Sequence, residues 1–222
     1  MNEETWSAVD SYITGKLLCP DPALDAALAA SNAAGLPEIA VAPNQGMMLQ
    51  MFARLVNARR ILEIGTLGGY STLWLARALP RGGRLVTLEF DPHHAEVARA
   101  NFSNAGLAHR IDLRVGPALE SLPKLAEEKP DPFDFVFIDA NKEDTAEYFA
   151  WALKLSRVGS FIIADNVVRS GAVIDPSDAD PRVQGMRKFF DTVAAEPRVS
   201  ATAIQTVGSK GYDGFAMALV VA

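Results

Sequence analysis

Four apolar runs in this chain carry side-chain oxygen at or near their ends. They are Ile61-Leu62-Glu63-Ile64, Leu85-Val86-Thr87-Leu88-Glu89, Phe135-Val136-Phe137-Ile138-Asp139 and Phe161-Ile162-Ile163-Ala164-Asp165-Asn166. A carboxylate at the end of so apolar a segment is costly unless it is paired or bound to a metal. Asp139, Asp165 and Asn166 offer three oxygen donors and no sulfur or imidazole. That set suits a hard divalent cation such as Mg2+, Mn2+ or Ca2+, which keeps positions open for water or substrate. The same residue types also cap helices that follow strands, and the residues alone leave both roles open.

The first run leads into Gly65-Thr66-Leu67-Gly68-Gly69, and Glu89 closes the second run twenty positions after Gly69. Glycines here allow a tight turn in which the backbone approaches a ligand at the next helix's N-terminus. A carboxylate at the second strand's exit sits where α/β nucleotide folds hydrogen-bond ribose hydroxyls. The pattern E-x-G-x-x-x-G departs from the dinucleotide fingerprint G-x-G-x-x-G and puts Glu63 inside the strand. A carboxylate repels a pyrophosphate and attracts the ammonium of S-adenosylmethionine (SAM), so Glu63 favours SAM over a dinucleotide.

The elements that must position these residues alternate. Apolar spacing predicts helices over 5–17, 22–34 and 44–56 as an N-terminal cap (1–58), followed by a core (59–222) in one domain. Strands are expected at 60–65, 84–89, 111–115, 133–139, 158–165, 199–207 and 214–221. Helices at 71–79, 92–105, 118–126, 144–155 and 183–195 supply the crossovers of a parallel sheet. Only Gly208 to Asp213 separates the last two strands, which reads as a hairpin and makes the final strand antiparallel. The expected architecture is α/β and Rossmann-like, with seven strands and helices on both faces. Ligands of such sheets lie beyond the C-terminal strand ends.

The 222 residues, 49% of them hydrophobic, suffice for one sizeable core. A single cysteine, Cys19, excludes an internal disulfide, and the first residues lack a basic start and an apolar stretch, so a cytoplasmic location is expected. No apolar run is long enough to span a membrane. A net charge of −6 counts against nucleic acid as the main partner.

The chain resembles the cation-dependent class I O-methyltransferases, the group of catechol and caffeoyl-CoA O-methyltransferases, and especially their small bacterial members. The likeness runs through Ala34-Gly35-Leu36-Pro37 and Gly46, Glu63 to Gly65 with Gly69-Tyr70-Ser71, Glu89, and Val115-Gly116-Pro117-Ala118. It continues in Asp139-Ala140-Asn141-Lys142, Ala164-Asp165-Asn166 with Gly171, and Lys210 to Gly214. The resemblance implies that Asp139, Asp165 and Asn166 hold the metal and that Lys142 is the catalytic lysine. It places Val41, Glu63, Gly65, Thr66, Ser71, Glu89, Phe90, Ala118 and Asp139 around SAM, with Ser71 near the carboxylate and Glu89 on the ribose. It also implies a homodimer acting on a small phenolic acceptor.

The implied reaction is an in-line displacement of a methyl group from a sulfonium by oxygen. A phenol holds its proton with a pKa of about 10, so the site must deliver a phenolate, and chelation of two vicinal hydroxyls by a divalent cation does this. Lys142, three residues beyond Asp139, either takes the proton or orients the oxygen. Segment 167–182 is expected to form a lid. Its Asp175, Asp178 and Asp180 lack calcium-loop spacing and read as a solvated acidic loop. His93-His94, Arg59-Arg60 and Arg187-Lys188 read as surface residues, and Trp6, Trp74 and Trp151 as packing. Asn141 stands where many plant relatives have aspartate and animal catechol enzymes a tryptophan, and no counterpart of the animal lid glutamate is found. Competing readings are a tRNA wobble hydroxyuridine O-methyltransferase and, in another class, a nucleotide-binding oxidoreductase or non-catalytic SAM-binding protein.

Overall fold

Side chains alternate across the strands, and this alternation decides which helices cover which face. The computed structural model describes residues 2–222. Its strands are β1 (Arg60–Ile64), β2 (Arg84–Glu89), β3 (Ile111–Val115), β4 (Phe133–Ile138), β5 (Ser156–Asp165), β6 (Val199–Gly208) and β7 (Gly211–Val220). The helices are α1 (Glu3–Leu17), α2 (Pro22–Ala33), α3 (Pro43–Leu55), α4 (Tyr70–Ala78), α5 (Pro92–Asn104), α6 (Ala118–Glu127), α7 (Thr145–Lys154) and α8 (Pro181–Ala194). Ile61, Leu85, Phe135, Phe137 and Ile163 point to the face covered by α2 to α5. Their neighbours Leu62, Val86, Val136, Ile138 and Ile162 point to the face covered by α6 to α8.

The strands form one sheet in the order β3-β2-β1-β4-β5-β7-β6. The pairs β1/β2, β1/β4, β2/β3 and β4/β5 are parallel, and β7 runs antiparallel to both β5 and β6. Strand order reverses between β1 and β4, so their following loops diverge and leave a crevice there.

Three helices begin with the dipeptide Asp-Pro. Asp21, Asp91 and Asp180 each accept a backbone N–H of the first turn, and the proline at the first helical position has no N–H to leave unsatisfied. This start sets α8 at Pro181, two residues before the apolar spacing placed it. The β6–β7 hairpin is also tighter than its glycine content implied. Gly208 pairs with Gly211, so only Ser209 and Lys210 form the turn, and Gly211 takes φ +86°.

Of the three helices expected to form an N-terminal cap, α2 and α3 contribute Leu24, Ala27, Leu49 and Ala53 to the core. Helix α1 has no buried residue. It is held by Asp10, whose carboxylate accepts from the Asn44 side chain at 2.9 Å and from the Ser209 N–H at 2.8 Å. Segment 167–182 holds a short 3-10 turn, Arg169–Ile174, with Ser170 and Gly171 in left-handed conformation, and then an exposed stretch leading to α8.

Candidate active site

The exits of β1, β2, β4 and β5 open on one cavity of about 1100 Å³. Gly65, Thr66, Ser71, Glu89, Phe90, Ala118, Asp139, Lys142 and Asn166 line it, together with Val41 from the segment before α3. Nine of the ten residues expected around the methyl donor or at the catalytic lysine are therefore on its wall. Glu63 is the exception.

The β1–α4 turn is built by close approach of protein to protein. A Cβ on Gly65 would lie 2.0 Å from the Asp139 carbonyl oxygen, one on Gly68 2.0 Å from Ser31 Oγ, and one on Gly69 2.3 Å from the Phe102 ring. Gly65 and Gly69 also take φ +100° and +83°. The glycines thus bring β1 against the exit of β4 and seat the turn on α2 and α5. Asn101 of α5 reinforces this seat by donating to the Gly68 carbonyl at 2.9 Å.

Glu89 lies under that turn and is 7% exposed. Its Oε2 accepts from the N–H groups of Thr66 (3.0 Å) and Leu67 (2.7 Å), and its Oε1 from Asp91 N–H at 2.9 Å. Two faces of the carboxylate are thereby fixed, and the remainder borders the cavity. His94 joins it, with Nδ1 3.5 Å from Glu89 Oε1. The expectation of a surface role for His94 is corrected: it lines the cavity because α5 starts directly after the β2 exit.

Glu63 was expected to face the ammonium of the methyl donor, and the structure places it elsewhere. It is fully buried on the α2 to α5 face of β1 and absent from the cavity wall. Ser71 Oγ donates to Oε1 at 2.7 Å, and Thr72 and Thr87 hydroxyls donate to Oε2. Burial raises its pKa to about 7, against the opposing effect of these hydroxyls. Ser71 is the member of this cage that reaches the cavity.

Asp139, Lys142, Asp165 and Asn166 meet where β4 and β5 end. Lys142 Nζ donates to Asp139 Oδ1 at 2.7 Å and to the Asp165 carbonyl at 3.2 Å. Asp165 is 6% exposed; its Oδ1 accepts from Asn166 N–H at 2.8 Å and its Oδ2 from the Gln45 side chain at 2.7 Å. Burial and the negative charge of Asp139 raise the Asp165 pKa to about 7, while Lys142 opposes the rise. Asn166 takes φ +56°, a left-handed conformation that asparagine tolerates better than most residues. Neither aspartate caps a helix: Asn141 and Asp144 precede the helical residues there, and neither makes a side-chain capping bond. The helix-cap alternative is therefore not what these side chains do.

Among the described residues no three His, Cys, Asp or Glu side chains cluster as a metal set. The donor chemistry at this point is two carboxylates with an amide as the third oxygen. It fits a hard divalent cation, since the buried Asp165 and the partly buried Asp139 repel each other and gain from a shared positive charge. Gln45 was not foreseen; it lies 120 residues from Asp165 in the chain, and only the packing of α3 brings it there.

A family model described as O-methyltransferase matches residues 23–219. The chain belongs to this O-methyltransferase family. It is 51% identical to a catechol O-methyltransferase of Niastella koreensis, covering 99% of this chain and 100% of that one. It is similar to the solved O-methyltransferase of Bacillus cereus in complex with SAH, with TM-score 0.98, 57% identity and coverage of 99% and 100%. An O-methyltransferase of Streptomyces achromogenes in complex with SAM matches with TM-score 0.97, 52% identity and coverage of 100% of both chains. No helix among the described residues of this family member is long and apolar enough to cross a membrane.

Proposed function

We propose that this O-methyltransferase transfers a methyl group from SAM to one hydroxyl of a catechol-like or caffeoyl-type phenolic small molecule. A divalent cation, Mg2+ or another hard ion, would be held by Asp139, Asp165 and Asn166. The observation that carries the reading is that Asp139, Asn166 and Lys142 share one cavity with the β1–α4 turn and Glu89, and that Lys142 joins Asp139 to the buried Asp165 by donating to both. The solved relatives that hold SAM or SAH, and the relative named for catechol, support it.

SAM supplies an electrophilic methyl group on a sulfonium. A divalent cation supplies Lewis-acid stabilisation of the deprotonated form of one of two adjacent oxygens. The chain's own residues do the rest. Glu89 offers its remaining lone pairs to ribose hydroxyls, and Ser71, whose hydroxyl hydrogen is taken by Glu63, presents its backbone N–H in the first turn of α4 to the donor's carboxylate. Val41, Phe90 and Ala118 supply apolar wall, and Asp139 an anion close to the donor's ammonium. Lys142 already donates two of its three hydrogens, to Asp139 and Asp165, and the third is available to the acceptor oxygen. We therefore assign Lys142 the role of holding and stabilising a phenolate through Nζ.

The deciding experiment is a methylation assay on catechols and on unmodified tRNA, with and without Mg2+. Turnover of catechols only, lost in EDTA while circular dichroism stays constant and restored by Mg2+ or Mn2+ better than by Zn2+, is the expected result. Full turnover in metal-free enzyme and in Asp165→Ala would remove the cation, and methylation of tRNA alone would replace the acceptor. Lys142→Ala is expected to lower kcat by about 10² to 10⁴ with little change in SAM affinity. A deficit that shrinks with an electron-poor catechol would make Lys142 a base.

Two further features complete the proposal. The edge strand β6 is exposed along most of its length, with Ile204 and Val207 about half exposed, and fits a homodimer interface. Cys19 is free and exposed, which fits the reducing cytoplasm.

A further inference from the structure

The cavity wall carries four long cationic side chains, and three of them have hydrogen-bonded partners within the protein. Lys142 donates to Asp139, Lys210 Nζ donates to the Glu38 carbonyl at 2.7 Å, and Arg182 forms a two-pronged pair with Asp180. Arg169 differs. Its side chain is only 22% exposed, its Nε is buried without a partner, and its Nη1 is 3.8 Å from Asp213 Oδ2, beyond hydrogen-bond distance. A buried guanidinium hydrogen left unpaired is costly, and the charge makes it more so.

The backbone around Arg169 is held in place against its own preference. Arg169 and Ser170 take φ +54° and +55°, which residues with side chains seldom adopt. Asp213 at the start of β7 holds this conformation: its Oδ1 accepts from Val168, Arg169 and Gly214 N–H groups at 2.9, 3.0 and 2.9 Å. With Oδ1 so engaged, Asp213 stabilises the turn and only loosely balances the guanidinium. The turn follows Asn166 by three residues, so the two Cα atoms are no more than about 11 Å apart. Arg169 therefore lies within that span of Asn166 and borders the same cavity.

We propose that Arg169 binds a carboxylate carried on the acceptor's ring substituent, and that the acceptor class is an anionic catechol. The inference rests on the methyl-transfer reading above and names the acceptor within it. A guanidinium presents paired N–H groups that match a carboxylate. The pocket would orient the ring by two points: the vicinal oxygens at the ends of β4 and β5, and the anion at Arg169.

The test uses the Mg2+-loaded enzyme and two probes: a catechol bearing an acetate side chain, and its neutral carboxamide. The methylene of that side chain insulates the ring from the change in charge. The wild type is expected to favour the acetate by about tenfold or more in kcat/KM, chiefly through KM. Arg169→Gln should abolish that preference by lowering kcat/KM far more for the acetate than for the carboxamide, and Arg169→Lys should retain part of it. Equal use of both probes by the wild type overturns the proposal. So does a fall for Arg169→Gln that is the same for both, which would give Arg169 a structural role only. Turnover without charge preference leaves the methyl-transfer reading standing, whereas no turnover of either probe removes both.

Discussion

At the scale of single residues, the acids that look alike in the sequence differ in what surrounds them. Glu89 accepts three backbone N–H groups and borders the cavity, so it both secures the β1–α4 turn and offers an acceptor to a ligand. Glu89→Gln keeps the shape and one acceptor oxygen. Calorimetry is expected to show SAM affinity reduced by about 1 to 3 kcal/mol, the scale of a lost charged hydrogen bond. Unchanged affinity would leave Glu89 with the turn alone. Glu63 is buried among hydroxyls and its pKa lies near 7 instead of 4.5. A carboxyl whose folded pKa is raised contributes stability below its unfolded pKa and loses it as pH climbs through the folded value. Between about pH 4.5 and 7 the wild type should therefore lose stability that Glu63→Gln does not. Urea unfolding of both proteins at each end of that range checks this, and a difference independent of pH would contradict it.

At the scale of elements, Asp134 ties three strands together at the end of the sheet opposite the cavity. Its Oδ2 accepts from the N–H groups of Arg59 and Arg60 at 2.8 and 3.0 Å, and its Oδ1 takes the Arg157 guanidinium at 2.6 and 3.0 Å. Burial pushes its pKa up, but the two N–H groups and the Arg157 charge outweigh burial and hold it below the ordinary value. The Arg59-Arg60 pair, which read as a solvated face, is thus partly structural: Arg60 also packs over the Phe133 ring. Asp134→Ala leaves backbone donors and a guanidinium without their acceptor. A loss of about 1 to 3 kcal/mol in denaturant unfolding is expected, with SAM affinity of the folded protein preserved. A matching loss of SAM affinity would mean that strand register at this end controls the site.

At the scale of the whole molecule, β6 and α1 form a side that the chain itself leaves open. The ten residues of β6 are mostly exposed, and α1, which packs beside them, presents Val9, Tyr12 and Leu17 to solvent. A long edge strand with apolar side chains invites pairing unless something covers it. Light scattering during size exclusion is expected to give twice the chain mass, and Ile204→Lys with Val207→Lys should shift it toward the monomer. A wild type that is monomeric at all concentrations would reject a homodimer. Asp10 links this side to the cavity through Asn44 and Ser209, so the monomeric variant also reports whether the site depends on the second copy.

The sequence by itself determined the order of elements, the parallel sheet with its antiparallel last strand, and the strand exits at which Glu89, Asp139, Asp165 and Asn166 stand. These follow from local periodicity and turn chemistry, which are written within a few residues of each position. The tertiary structure decided how those residues are used. Glu63 was legible as an acid in a strand, but the side of the strand it faces depends on the register against β2 and β4, and that register buried it among Ser71, Thr72 and Thr87. Gly65, Gly68 and Gly69 were legible as a turn, and only folding showed that their missing Cβ atoms make room for Asp139, Ser31 and Phe102. Gln45 against Asp165, His94 against Glu89, and Arg169 with its Nε unpartnered beside Asp213 carried no local signal. Each depends on contacts between elements remote in sequence, or on a side chain's direction in space, and periodicity along one segment contains neither.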